Sequence, residues 1–512
     1  MRCVSVLLSL ALAACGSDQG SSRSGRSLAA PVTLNRALGG EPATLDPHLA
    51  EDNPALALSQ ELYEGLTTEA ADGSIVPGAA ESWTVSGDGR TWTFRLRPDL
   101  RWSDGTPLTA AQFIAGLDAE RAANSQAPYS ALLHEITSAR APDARTVVLE
   151  VARAVPYLPA VLALPVAAPQ YPVADAAGQS VVGNGPYRLL ARHPDGKIEL
   201  ERNPHYHSAG SVAIERVTYL TLDDLNTELN LYRAGDLDLT SEVPNSRIDW
   251  LRQHLPGELH IAPYLSTYAY VPNLRRLPDR DSRVALAMSV DRQQITDRIT
   301  GAGENPALSW VPPGIPGYSP SRFTWAQMPK DELARRARDL WAAAMKRGAT
   351  PARLTLCTDA SANHRRTAVA LVDQWRRALG VDVAIVEMEW KAYLAMRELP
   401  GECDLIRFGW SADFVDPEAF LALFTSGHAQ NVAGYSNPAY DALILKAGVA
   451  ANAGQRAAIL ASAERSLLQD AVVIPIFHRV SKRLVKPGID GIAANPLGHL
   501  PSRYLRLRER KK

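Results

Sequence analysis

Residues Arg353 to Asp413 read RLTLCTDASANHRRTAVALVDQWRRALGVDVAIVEMEWKAYLAMRELPGECDLIRFGWSAD, and this stretch decides the fold. Arg353 to Cys357 alternates as a strand does. Asn363 to Leu379 repeats apolar residues at helical spacing and stops at Gly380, after which Val381 to Val386 is a second strand. A helix opens at Trp390, and the run Cys403-Asp404-Leu405-Ile406 leads into a third strand, Asp404 to Phe408. Strands and helices alternating in this order predict a parallel sheet. Ligands of open sheets gather beyond the carboxyl ends of the strands. His364, Trp390 and the run from Arg407 to Asp413 follow such ends, so the sequence places them on one cleft. An Arg, a Trp and an Asp within seven residues is not a mix that strand propensity selects. A carboxylate beside an aromatic wall, with a guanidinium close by, suits a ligand that carries both an amine and a carboxylate.

The flanks of this stretch enlarge the picture. At 512 residues the chain exceeds one compact core, and two or three domains are expected. Lys and Arg number 54 against 55 Asp and Glu, so the basic face that a nucleic-acid partner requires is not expected. Beyond the N-terminus no apolar run reaches membrane-spanning length. The start itself is different: Met1-Arg2, the apolar run Cys3 to Leu12, and Leu12-Ala13-Ala14-Cys15 read as a bacterial lipoprotein signal lipidated at Cys15. A plain secretory signal is the alternative. Residues 15–30 are rich in Ser and Gly and read as a tether.

Cys357 and Cys403 remain in the body of the chain. They can pair, or they can sit as small buried apolar groups. Placed on neighbouring parallel strands they fall at opposite ends, so free thiols are the expectation. Neither CxxC, HExxH nor GxxxxGK[ST] occurs, and Gly409 to Asp413 is not a nucleophile elbow because its last position is Asp. No cofactor or metal is therefore called for, and no enzymatic activity is expected.

Towards the N-terminus, Ala80 to Ser86 and Thr91 to Arg97 alternate on either side of Gly87-Asp88-Gly89, a hairpin signal. Trp92, Phe94 and Leu96 are assigned to a core and Arg95 and Arg97 to water. Thr109-Ala110-Ala111-Gln112 is a capping box that opens a helix. Asp223 to Ala234 reads as a helix closed by Gly235, and Asp236 to Leu239 as a strand.

The segment AESWTVSGDGRTWTFRLRPDLRWSDGTPLTAAQF, from Ala80 to Phe113, resembles the signature of the family 5 extracellular solute-binding proteins of ABC importers. Further runs, LDPHLAE, ELERNPHYH, LNLYRAGDLDLT, PYLSTYAY, EWKAYL, RFGWSADFVDPEAF and KRLVKP, are similar to the branch that holds oligopeptide binders and murein-tripeptide binders. The resemblance extends from about Pro31 to Pro487. It implies an α/β, two-lobed periplasmic-binding-protein fold (type II-like) with a third inserted α+β lobe. The expected division is lobe I at 31–63, 182–265 and 481–512, an inserted lobe II at 64–181, and lobe III at 266–480. Hinge crossings are expected near Leu265 and Ser481.

The resemblance also implies roles. Asp413 takes the α-ammonium of a short peptide, Trp410 and Trp390 line side-chain pockets, and Arg407 reaches the carboxylate of shorter peptides. His364 and Arg397 serve the carboxyl end of the ligand, Glu51 faces the cleft, and Tyr129 reaches it from the smaller lobe. Each also has a plainer reading: Arg407 as a buried partner of Asp413, Trp390 as core, His364 as a helix-start cap. Arg397 and Glu51 read equally as solvated charges and Tyr129 as lobe packing. In that branch a disulfide joins the positions held here by Ser266 and Ser411, so that bridge is missing. Glu398 stands where the branch has His, and Ile476-Phe477-His478-Arg479 has fewer tyrosines. The implied partners are a short peptide and the permease and ATPase subunits of an importer. The protein itself is expected to be a monomer in the periplasm or cell envelope, reaching the membrane through its lipid alone. A murein-tripeptide binder is the nearest alternative; an extracytoplasmic peptidase or a chaperone-like surface lipoprotein lies further off.

Overall fold

The computed structural model describes residues 31–508 apart from 123, 124, 126, 172–180, 349, 399, 400 and 451. The signal segment (1–14), Cys15 and the tether (15–30) lie outside the described residues. Among the described residues no helix is long and apolar enough to cross a membrane.

Three larger sheets organise the chain. The first has four strands in the order Thr33–Ala37, Arg216–Leu220, Lys197–Arg202, Tyr187–Arg192. The second is antiparallel throughout, in the order Ala80–Val85, Thr91–Leu96, Thr146–Val151, Ile136–Asp143. Its hairpin turns at Gly89, whose φ of 73° disfavours any residue with a Cβ. Trp92, Phe94 and Leu96 are buried while Arg95 is exposed, as the alternation requires. Thr109 and Gln112 form the expected capping box at the start of the helix Ala110–Arg121.

The third sheet has six strands, in the order Asn305–Pro306, Ile474–Leu484, Leu259–Pro272, Leu405–Ser411, Arg353–Asp359, Asp382–Met388. The last three are mutually parallel, with the helix Ala362–Leu379 between two of them, as the periodicity predicts. The strand Leu259–Pro272 runs antiparallel to both of its neighbours, so the complete sheet is mixed.

Two long strands join the first and third sheets. Leu259–Pro272 and Ile474–Leu484 pair from Leu259 with Leu484 to Pro263 with Val480, slip register, and resume at Thr267 with His478. A register slip of this kind bends a ladder and raises its twist. It falls where the hinge crossings are expected. At the far end of the pair, the expected strand Asp236–Leu239 reduces to single bridges from Leu239 to Arg36 and to Val485. Four residues ending in a buried Leu satisfy the pattern, but only one of them meets a neighbouring backbone in ladder geometry.

The region of the second sheet docks against residues just past the strand Leu405–Ser411. The Tyr157 ring stacks on Phe414 with centroids 4.7 Å apart. Arg153 Nη2 lies 2.8 Å from Glu418 Oε1, and Arg456 binds Asp416 and Glu418.

The expectation of free thiols is wrong. Cys357 and Cys403 form a disulfide with Cα atoms 5.8 Å apart. The strand begins at Leu405, one residue later than expected, and Cys403 lies outside its ladder. It lies in the turn ahead of the strand, where the Asp404 amide binds the Thr355 carbonyl, and there its side chain meets Cys357. The bridge closes a loop with a sequence separation of 46. Replacing both cysteines by Ser is expected to lower unfolding stability by about 2–4 kcal/mol, read as a shift in the denaturant midpoint at unchanged slope. At the other end of the strand, Ser266 and Ser411 are register partners, with Oγ atoms 3.0 Å apart. A hydrogen bond stands there, reinforced by the Tyr264 hydroxyl 2.7 Å from Ser411 Oγ.

Candidate functional site

Asp413 follows directly on the strand Leu405–Ser411 and is set in place by the neighbouring Ala412 amide, which donates to Leu265 O at 2.8 Å. Among the described residues its carboxylate has neither an ion pair nor a side-chain hydrogen bond. Burial pushes it up to about 7, and the nearby His499 is too weak a cation to offset that. Asp413 is half-buried, and a desolvated carboxylate without a paired cation is costly, so it marks a place that a cation would suit. Next to it, Trp410 stacks on Phe408 with centroids 6.4 Å apart. The Trp410 Nε1–H is buried with no acceptor among the described residues.

Two further candidates join Asp413 from loops elsewhere in the chain. Burial, together with the facing carboxylates of Asp413 and Glu51, holds the Tyr129 hydroxyl well above its ordinary value. Glu51 is exposed and also lies within electrostatic reach of Arg397. The structure therefore brings Glu51, Tyr129, Arg397 and Asp413 into one neighbourhood, although they belong to separate segments of the chain.

Arg407 already has a partner within the protein. It is buried, and its partner is Asp359 rather than Asp413: Nε and Nη2 lie 2.9 and 2.5 Å from Asp359 Oδ1. Its guanidinium also covers the Tyr393 ring at 5.0 Å. Burial opposes the charge of Arg407, yet Tyr393 and Asp359 overcome it and keep the guanidinium firmly protonated. Burial likewise opposes the charge of Asp359, but His364 and Arg407 hold it well below the usual carboxylate range.

His364 sits in the first turn of the helix Ala362–Leu379, and its ring caps no backbone group. Nδ1 lies 2.9 Å from Asp359 Oδ1, and Nε2 lies 3.2 Å from Arg479 Nη2. Burial, then the Arg407 charge, lower its pKa to about 3, so the ring is neutral: Nδ1–H donates to Asp359 and Nε2 accepts from Arg479. Arg397 ends the same row. Its Nη2 lies 2.6 Å from Gln430 Oε1, its guanidinium covers Phe408 at 4.9 Å, and its Nε is buried without an acceptor among the described residues. It is not a solvated helix charge. Trp390 is 45% exposed and stacks on Tyr393, so it is not core.

Asp359, Tyr393, Gln430, Arg479 and His499 belong to this neighbourhood and are absent from the sequence-derived set. Asp359 carried a usable signal, since it ends a parallel strand, where the rule used for His364 and Trp390 applies equally. The others depend on pairings far apart in sequence.

Residues 74–431 match the model for bacterial extracellular solute-binding proteins, family 5. The chain is 33% identical over 500 residues to the periplasmic murein peptide-binding protein of Escherichia coli, covering 92% of each. It is 34% identical over 495 residues to a probable deoxycholate-binding periplasmic protein of Escherichia coli, covering 92% of this chain and 91% of that one. Among solved structures, the oligopeptide-binding protein of Haemophilus influenzae, in complex with a peptide of sequence RPPGFSPFR, superposes with a TM-score of 0.86. That pair is 31% identical over 93% of this chain and 99% of the other. The fold is accordingly the α/β, type II-like, multi-lobed fold of periplasmic binding proteins.

Proposed function

The chain belongs to the family 5 bacterial extracellular solute-binding proteins, a family of binders rather than enzymes, and we propose that it captures short peptides by their termini and backbone in a cleft that closes about a hinge. The observation that carries this reading is Asp413, a half-buried, desolvated carboxylate with no ion pair among the described residues. Arg397, Arg407 and Arg479 lie towards the other end of the same neighbourhood. A ligand with an ammonium at one end and a carboxylate at the other matches this polarity, which a bile-acid anion does not. Aromatic walls such as Trp390 and Trp410 accept apolar, aromatic and cationic side chains alike.

The proposed lobes are 31–63 with 182–265 and 481–512, the insert 64–181, and 266–480. Each of the three larger sheets falls within one of them, apart from the two strands that cross near Leu265 and Ser481. In this reading the insert closes over the cleft, bringing Tyr129 to the ligand. Delivery to importer subunits in the membrane follows from the family. Anchoring through Cys15 rests on the sequence Leu12-Ala13-Ala14-Cys15. A murein tripeptide is the second candidate ligand, favoured by the buried, unpaired Nε of Arg397, which offers a place for an additional carboxylate. Competition between a murein tripeptide and ordinary tripeptides separates the two.

Calorimetry with tri- and tetrapeptides tests the reading, and its pH dependence has a defined sign. With its pKa raised to about 7, Asp413 in the ligand-free protein is protonated below that pH and must lose the proton to pair with an ammonium. Peptide affinity is expected to fall about tenfold per pH unit below about 7, with proton release on binding. A peptide α-amino group itself titrates near 8, which sets the upper edge. The stability of the ligand-free protein runs the other way: the neutral carboxyl favours the fold at low pH, and that contribution is lost as pH rises through about 7. Absence of binding to every peptide offered, or binding without proton release at pH 6, refutes the proposal.

A further inference from the structure

We infer that Arg479 is the residue that receives the ligand's carboxylate, the place that sequence resemblance gives to Arg407. The inference rests on the peptide-binding reading and adds to it the group that fixes the anionic end.

Arg407 is already satisfied. Two of its nitrogens meet Asp359, its face lies on Tyr393, and it is buried. Turning it to a ligand would leave Asp359 with His364, a neutral ring, as its remaining partner, and a buried carboxylate stripped of its cation is strongly unfavourable. His364 donates to Asp359 and accepts from Arg479, so in this state it has no proton to offer an anion. Arg397 has Gln430 as a hydrogen-bond partner and Glu51 within electrostatic reach, and its Nε, buried without an acceptor among the described residues, offers one donor rather than an open fork.

Arg479 is in a different position. It stands on the crossing strand Ile474–Leu484 and is half-buried. Among the described residues it meets one acceptor, the neutral His364 Nε2 at 3.2 Å, and one aromatic face, Tyr268 at 5.7 Å. No carboxylate of the described residues forms an ion pair with it. A guanidinium presents five N–H donors in a planar fork, so most of its donors remain available for a bidentate carboxylate. His364 and Tyr268 fix the plane of the fork from two sides, which reduces the entropy that binding would remove. With Arg397, Arg407 and Arg479 against Asp359, this end carries an excess of positive charge, as a carboxylate site needs. The carboxylate can come from the ligand's C-terminus or from an acidic side chain near it; the chemistry is shared, and the experiment separates the two.

The test is calorimetry on the full mature chain, wild type and the Arg479→Met and Arg479→Lys variants. Three tripeptides are compared: one with a free C-terminus, its C-terminal amide, and a version in which a terminal Glu is replaced by Gln. Wild type is expected to bind the amide about ten- to hundredfold more weakly than the free acid, the size of a lost charge-assisted hydrogen bond. Arg479→Met should bind acid and amide equally, at the level of the wild-type amide complex, and Arg479→Lys should restore part of the difference. If wild type discriminates Glu from Gln rather than acid from amide, and Arg479→Met abolishes that, the carboxylate is a side chain's and the assignment of Arg479 stands. An undiminished penalty in both variants, or no penalty of either kind in wild type, overturns it while leaving peptide binding intact. Failure of wild type to bind any free peptide overturns the underlying reading instead.

Discussion

Asp413→Ala is expected to weaken tri- and tetrapeptide binding by a factor of about 10²–10³, the equivalent of roughly 3–5 kcal/mol for removing one partner of a desolvated ion pair. The ligand's ammonium would still have to leave water, but nothing charged would meet it. The fold should not suffer. Asp413 makes no ion pair or side-chain hydrogen bond among the described residues, and its backbone setting comes from Ala412 and Leu265. Because the carboxylate is half-buried and desolvated without an ion pair among the described residues, the ligand-free variant should melt no lower than wild type near neutral pH. Asp413→Asn keeps the shape and should lose as much affinity as Ala, which separates charge from packing. In both variants the fall in affinity below pH 7 should vanish, because the titrating group is gone. Unchanged affinity in the Ala variant, measured by calorimetry, excludes the ammonium-anchor role.

The second large effect is on stability. Asp359→Ala leaves Arg407 buried beside Tyr393 without its carboxylate and is expected to cost about 3–5 kcal/mol in denaturant unfolding. Because the fault is the stranded charge rather than the missing contact, Asp359→Ala with Arg407→Met should be more stable than Asp359→Ala alone. The pH profile has a matching sign. Asp359 is held well below the usual carboxylate range, so its contribution is present above about pH 4 and is lost as pH falls further. Asp359→Ala should lack that acid-side decline. A double variant as unstable as the single one would mean that the pair is not the source of the effect.

The sequence yielded the parts of this molecule that depend on local chemistry. The run Arg353–Phe408 specifies three strands and two helices because glycine stops and apolar spacing punctuate it. The hairpin at Gly89 and the capping box at Thr109 were likewise legible. The partners of those elements were not. Leu259 pairs with Leu484, far away in the chain, and no periodicity announces that one long ribbon serves two sheets. The pairing of Cys357 with Cys403 depends on the path of the turn ahead of the strand, which periodicity does not describe. Arg407 illustrates the same limit at the site. Its place at a strand end is legible in the sequence, but its charge is spoken for by Asp359, and only the folded arrangement reveals that partner. Resemblance supplied Asp413 and Tyr129 as candidates, and the geometry brings them together electrostatically without fixing what they hold.

Asp413 and Phe414 are consecutive residues, and their side chains face different tasks. Phe414 carries the stack with Tyr157 of the insert, while Asp413 is the proposed receptor for the ammonium. One peptide unit thus separates the sensing element from the latch. The Tyr157–Phe414 stack is in place without a ligand, so under the proposed reading a bound ammonium would add its attraction one residue away from a contact that already holds the insert. Under the proposed closure, the signal delivered to a membrane partner is then the posture of the insert, common to every peptide with a free amine and indifferent to its side chains.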